Sequence, residues 1–346
     1  MKAAVVVSPG KIEVQDVAEP RTLPNQIKVK IAYCGICGSD LRMIRHEAET
    51  GRPMFSRSAS TPSRPRIMGH EASGTIVEVG AEPRAGYTAG QRVAMDFRSY
   101  CGSCYYCRNK KQHFCERATP ASGAYAEYAV YNEDDIYLLP DNVTLEQGAL
   151  LEPVSVATHA IDIADISPGS TMAILGGGPI GTLILEVARR AGAARILVSE
   201  PVEGRRKVAA QVGATVVIDP TRTSIETVAM EMTGGRGFDT VIDASGNVAA
   251  ARQAVRLADR GGTVVWAATY PPAGAELGDL PFYMSGRELT IKSVFVSPYC
   301  FSRALNLLPT MDLEPLISIR PIEQFAQSVQ ELMIGQGMKV LIQTSK

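Results

Sequence analysis

Four cysteines stand within one short stretch, Cys101, Cys104, Cys107 and Cys115, spaced C-x2-C-x2-C-x7-C. Two-residue gaps let a tight loop wrap three thiolates around one ion while the fourth closes the cage from further along. This is the tetrahedral arrangement in which Zn2+ sits about 2.3 Å from each sulfur. With four protein ligands no position stays open, so this zinc is expected to staple a loop and take no part in chemistry. Cys34, Cys37 and Cys300 are dispersed, which makes seven in all. An odd count, and an N-terminal apolar run that stops at Val7 before Ser8-Pro9-Gly10, argue against a secreted disulfide framework and for thiolates held by metal.

A second set has the residue types for catalysis. Cys37 opens the turn Cys37-Gly38-Ser39-Asp40, His70 and Glu71 are adjacent, and Glu152 precedes Pro153. Thiolate, imidazole and carboxylate suit a Zn2+ that keeps one position open for water or substrate and acts there as a Lewis acid. Taken singly, each also fits a plain role: Cys37 as a small core residue, His70 as a turn residue, Glu71 and Glu152 as surface charges.

A third set reads as a dinucleotide site. Directly after the apolar strand Met172 to Leu175 comes Gly176-Gly177-Gly178-Pro179-Ile180-Gly181, followed by the apolar-periodic Leu183 to Ala188, with Glu200 at the end of the next strand. Gly176 allows the tight turn, Gly178 lets the backbone approach a pyrophosphate, and Gly181 lets the helix pack closely on the sheet. The phosphates would rest on the helix N-terminus. Glu200 would accept hydrogen bonds from the adenosine ribose and repel a 2′-phosphate, which favours NAD over NADP. Arg205 and Arg206 are close enough in sequence to contact a phosphate.

Two architectures must hold these residues. Up to about residue 150 the pattern is short and β-like, with strands expected at Ala3 to Val7, Ile12 to Val17, Ile27 to Ala32, Thr75 to Val79, Arg92 to Met95 and Tyr125 to Tyr131, and Gly and Pro between them. From about Thr171 buried strands alternate with amphipathic helices, through Arg195 to Val198, Thr215 to Ile218, Phe238 to Ile242 and Gly262 to Ala267. That rhythm builds a parallel, doubly wound sheet. The last ~50 residues break it with prolines and are expected to return to the first domain; the 346-residue length suits about two domains of ~150 residues. Thirty-five basic and 36 acidic residues leave a formal net charge of −1, so no global field gathers nucleic acid or an anionic membrane. No apolar run approaches the ~18 residues of a membrane span. The chain reads as soluble and cytoplasmic, with a small-molecule partner.

One segment is compositionally odd. Residues 45–66 carry Arg45, Arg52, Arg57, Arg64 and Arg66 among four serines and three prolines, which points to an extended, mobile surface loop anchored beside the Cys37 and His70 segments. Its arginines would suit a lid over a phosphate- or carboxylate-bearing substrate, and a solvated insertion is the plainer reading.

Tyr33-Cys34-Gly35-Ile36-Cys37-Gly38-Ser39-Asp40-Leu41, Gly69-His70-Glu71, the four-cysteine loop, Leu151-Glu152-Pro153 and the glycine motif occur in the order found in zinc-dependent medium-chain alcohol dehydrogenases. Across essentially the whole chain the sequence resembles their polyol branch, which includes sorbitol, butanediol and threonine dehydrogenases. The resemblance implies an α/β protein: a GroES-like β-rich catalytic domain at 1–153 and 295–346, a Rossmann NAD-binding domain at 154–294, and catalysis in the cleft between them. It implies two zincs per chain, with Cys37, His70 and Glu71 as catalytic ligands, Glu152 as a fourth ligand or as the group holding the zinc-bound water, and Ser39 hydrogen-bonded to the reacting oxygen. The implied reaction moves a hydride between NAD(H) and a secondary alcohol or ketone, a polyol or sugar-like molecule, in a homodimer or homotetramer. An amino-alcohol or aminocyclitol substrate is the runner-up, and a zinc-free quinone reductase or dinucleotide-binding structural protein is the rival class. Three departures stand out. Arg42 replaces the His that commonly relays a proton, with His46 one turn on; the segment from Cys37 to His70 is long; and the Arg-Tyr pair of similar sorbitol dehydrogenases is missing at Val294-Phe295-Val296-Ser297.

Overall fold

In the computed structural model, which describes residues 1–52, 66–83, 86–120, 123–270, 276 and 278–345, the chain divides into two units, Met1–Glu152 with Ile317–Lys346, and Pro153–Leu316. The first is organised by the strand Gln26–Gly35, where Ile27, Val29 and Ile31 point into the core while Lys28 and Lys30 alternate outward. This strand pairs antiparallel with Glu71–Val79, Tyr128–Asn132 and Lys339–Gln343, and the last of these pairs parallel with Ile317–Pro321. Arg92–Met95 and Ile136–Leu138 extend the seven-stranded sheet beyond Glu71–Val79. Ile76, Val93, Tyr125, Phe325 and Ile342 fill the core beneath it.

The β-like pattern expected up to about residue 150 is interrupted by one long helix, and another begins where it ends. Cys37 caps a 13-residue helix, Gly38–Thr50, which ends at Gly51 in a left-handed cap. Leu151–Ala164 is a second helix, started by Glu152 and Pro153 in its first turn, where proline's missing N–H costs nothing. Arg45 is therefore helical. Residues 53–65, the body of the expected Arg/Ser loop with Arg57 and Arg64, lie outside the described residues.

The second unit carries a six-stranded parallel sheet in the order Val216–Ile218, Arg195–Ser199, Thr171–Leu175, Phe238–Asp243, Ala258–Trp266, Thr290–Ser293. In chain order this is 3-2-1-4-5-6, the doubly wound Rossmann arrangement. Met172 to Leu175 and Ile196 to Val198 are buried without alternation, as strands covered on both faces must be. The chain leaves this unit later than expected. Residues 295–316 stay in it because Cys300, Phe301, Ala304, Leu308, Leu313 and Leu316 are all buried, and Pro309 and Pro315 only shape short 3-10 turns. No helix among the described residues is long and apolar enough to cross a membrane.

Within the first unit, burial pushes the Asp135 carboxyl up to about 6, although the Ser99 hydroxyl donates to it. A folded-state value above the ordinary 3.8 favours folding below about pH 4, and that contribution is lost as the pH rises through 6. Asp135→Asn should therefore gain on the wild type in thermal melts between pH 5 and 7.5. A melting-temperature difference that stays constant over that range would show that Asp135 titrates normally in the fold.

Candidate active site

Strand pairing brings the catalytic candidates together. The strand Gln26–Gly35 ends just before Cys37, and Glu71 opens the neighbouring strand directly opposite Gly35. The approach is close enough that a Cβ on Gly35 would stand 2.2 Å from Glu71 Oε2. As a result one ligand atom each from Cys37, His70 and Glu71 lie within 4.8 Å of one another. As helix N-cap, Cys37 accepts the Ser39 backbone N–H at 3.5 Å, so the helix start points its donors at the ligand sulfur. Glu152 is outside that three-residue group. It is buried nearby, where burial pushes its carboxyl up to about 8 and where it acts electrostatically on His70 and Lys339.

The pocket is rich in negative charge. Burial alone would depress His70, but Asp40, Cys37 and Glu152 outweigh it and hold the imidazole well above its ordinary value. The same surplus of negative charge around His70 would favour a cation in the pocket. Glu71 is nearly sealed and takes both its oxygens to the Lys339 ammonium, at 2.8 and 2.7 Å, while Lys339 also donates to Ile36 O at 3.2 Å. One thiol, one imidazole and buried carboxylates with a surplus of negative charge fit Zn2+.

The four-cysteine loop is equally well disposed. All four sulfurs lie within 4.8 Å of one another, and Cys101 Sγ stands 3.9 Å from Cys107 Sγ, near the ~3.8 Å edge of a tetrahedron with 2.3 Å bonds. Backbone N–H groups of Ser103 and Cys104 pull the Cys101 thiol down to about 5, while burial pushes Cys107 up to about 12.

In the second unit Gly176 adopts φ +98°, and a Cβ on Gly181 would fall 1.9 Å from Gly176 O, so the turn and the helix approach both require glycine. Gly178 caps the helix Pro179–Arg190, with Pro179 at its first turn and Ile180 half-buried beside it. Among the described residues, the space where a Gly178 side chain would stand meets only the Arg205 guanidinium, 3.7 Å away. Glu200 is buried and accepts the Gly177 and Val202 N–H groups at 2.8 and 2.9 Å. Such an open glycine cradle at a helix N-terminus, flanked by one cation and one carboxylate, fits a dinucleotide. Arg206 points elsewhere: its guanidinium donates to the Glu200 and Pro201 carbonyls and pairs with Asp219 at 3.2 Å.

Sequence reasoning missed Asp40, Lys339, Tyr125 and Phe97, which surround these candidates. Phe97 packs its ring 4.9 Å from that of His70. An acid three residues after Cys37 was a readable signal for Asp40, whereas Lys339 is 268 residues from Glu71 and no local pattern marks it. A further ligand-type group, His159, Asp162 and Cys300, lies in the second unit. There the Arg303 guanidinium already holds Asp162 and donates to Cys300, so the protein supplies the cation itself. The Arg/Ser segment yields a similar correction: Arg66 is locked by Glu47 at 3.0 and 2.6 Å, and Arg45 reaches Met333 O.

Comparison with known proteins places this geometry. The chain is similar to the D-arabitol-phosphate dehydrogenase of Enterococcus avium, with 29% identity over 100% of this chain and 98% of that one. It is 30% identical to the sorbitol dehydrogenase of Bos taurus over 98% of this chain and 94% of that one. The crystal structure of 2R,3R-butanediol dehydrogenase from Bacillus subtilis superposes with a TM-score of 0.86 at 28% identity, covering 99% of both chains. The family model for the alcohol dehydrogenase GroES-like domain matches residues 23–141, and that for the zinc-binding dehydrogenase matches residues 179–310. Since these two models account for well over half of its length, the chain belongs to the zinc-binding alcohol dehydrogenases with a GroES-like domain.

Proposed function

We propose that this enzyme interconverts a secondary alcohol and its ketone, on a polyol or sugar-like substrate, using NAD(H) and a zinc held by Cys37, His70 and Glu71. The observation that carries the reading is the convergence of those three ligand atoms within 4.8 Å in a buried, anion-rich pocket. When bound, zinc supplies Lewis-acid polarisation of the substrate oxygen and the nicotinamide accepts the hydride. Glu152 would complete the ligand set or hold a water there, and the Ser39 hydroxyl would hold the reacting oxygen. Lys339 holds Glu71 in place through both carboxylate oxygens. Cys101, Cys104, Cys107 and Cys115 would hold a second, structural zinc. The relatives' names cover a polyol, a polyol phosphate and a diol, which supports the substrate class without choosing within it. A substrate panel with NAD that includes polyols, polyol phosphates and amino alcohols chooses; turnover confined to amino alcohols would replace the polyol reading. A homodimer or homotetramer is part of the proposal, checked by light scattering; among the described residues the strand Thr290–Ser293 pairs on one side only, at the edge of its sheet.

The two zincs should separate by mutation. Cys37→Ser should stay folded by circular dichroism, drop from two zincs to one by elemental analysis, and lose at least about a thousandfold in kcat/KM, the several kcal/mol that a Lewis acid provides. Cys104→Ser should instead lower thermal stability, because its loop loses the cage. Normal turnover in Cys37→Ser would remove the catalytic assignment.

For the cofactor, kinetics with NAD and NADP side by side should show a preference for NAD. Glu200→Ala should narrow it about 10- to 100-fold, since a hydrogen bond to a charged group contributes roughly 1.5–3 kcal/mol. A wild type that prefers NADP would overturn the role given to Glu200 and turn attention to Arg205.

A further inference from the structure

The carboxylate of Asp40 sits behind both Cys37 and His70, and its two oxygens are served unequally. Oδ2 accepts the Tyr125 hydroxyl at 2.5 Å and the Cys37 backbone N–H at 3.4 Å. Oδ1 has no hydrogen-bond partner among the described residues and faces His70 Nδ1 at 3.6 Å. Asp40 is 1% exposed, so bulk water cannot fix its orientation. The Tyr125 hydroxyl also lies 3.0 Å from Gly35 O, but it has one proton, and the shorter, charge-assisted contact assigns that proton to Asp40. The tyrosine is itself rigid: it is fully buried, its ring packs 4.6 Å from that of Phe325, and its backbone N–H donates to Met68 O at 3.0 Å, two residues before His70.

From this arrangement we infer that Tyr125 is a positioning residue for the catalytic metal centre: its hydroxyl fixes Asp40 so that one carboxylate steadies the Cys37 backbone and orients the His70 imidazole. With Nδ1 facing Asp40 at 3.6 Å, Nε2 would be the nitrogen left for a metal, and the carboxylate behind the ring would raise its basicity. A phenylalanine would fill the same space and leave Oδ2 with only the long Cys37 contact. The carboxylate could then rotate away from His70. Partners that orient a ligating histidine in this way typically set metal affinity by 10- to 100-fold.

The inference rests on the assignment of a zinc to Cys37, His70 and Glu71, and the test separates the two. Zinc release from the full-length holoenzyme into excess chelator, followed with a zinc-sensitive dye, should show two phases, of which Cys37→Ser abolishes one. Tyr125→Phe should accelerate that same phase about 10- to 100-fold and leave the four-cysteine phase unchanged. In an Asp40→Asn background, which should itself release faster, Tyr125→Phe should add less than twofold. If Cys37→Ser leaves both phases, the zinc assignment fails. If it removes one but Tyr125→Phe releases at the wild-type rate, Tyr125 has no positioning role. Equal acceleration in both backgrounds would show that it acts by packing and not through the carboxylate. Near-ultraviolet circular dichroism checks the fold of each variant. Should Tyr125→Phe fail to fold, cobalt-substituted Asp40→Asn decides the matter: a cobalt spectrum unchanged from that of the wild type would rule out the carboxylate route on which Tyr125 depends.

Discussion

Asp40, Glu71 and Glu152 are all buried in the first unit, beside a thiol that must become a thiolate to bind metal. An uncompensated buried carboxylate costs several kcal/mol, so the surrounding structure has to supply positive charge or hydrogen-bond donors at fixed places. Lys339 answers Glu71, Tyr125 answers Asp40, and a divalent ion held by Cys37 and His70 would answer what remains. Removing one member of such a buried pair typically costs about 3–5 kcal/mol, which is comparable to a large part of a domain's net stability.

That requirement explains the path of the chain. Lys339 begins a strand that pairs with Gln26–Gly35 through Leu341, Ile342 and Gln343, so the ammonium arrives opposite Glu71 only after the whole second unit has been threaded. The first unit without its C-terminal segment would leave Glu71 buried and unpaired. The discontinuity of this unit is therefore tied to its electrostatics as well as to its sheet.

How much of this was legible depended on whether the signal was local. Four cysteines in one loop, and a glycine run between strand and helix, announce themselves because metal and pyrophosphate accept few residue types at those spacings. Five of the six Rossmann strands were placed within a few residues because each has an apolar centre, whereas Thr290–Ser293, with one apolar residue in Thr-Ile-Lys-Ser, was missed. The helix Gly38–Thr50 was not foreseen: its apolar positions are few, and its start is capped by a cysteine in place of the usual Ser, Thr, Asn or Asp. The late return of the chain at Ile317 was hidden by prolines that end helices without ending a domain. Lys339 and Tyr125 were invisible because what selects them is complementarity across a sheet, to a partner scores of residues away.

The two proposed metal positions differ in the same respect, and the difference bears on how each is built. The four cysteines lie within one short loop, where closure is entropically cheap and a metal can organise the ligands before the rest of the unit has formed. Cys37 and His70, by contrast, meet only once the strands Gln26–Gly35 and Glu71–Val79 are paired in register, since a one-residue slip would turn Glu71 to the other face of the sheet. The pocket proposed as catalytic is thus a product of the finished fold. An affinity for metal there would have to be tuned by groups that the fold delivers, whereas the four-cysteine loop carries its ligand set in its own spacing.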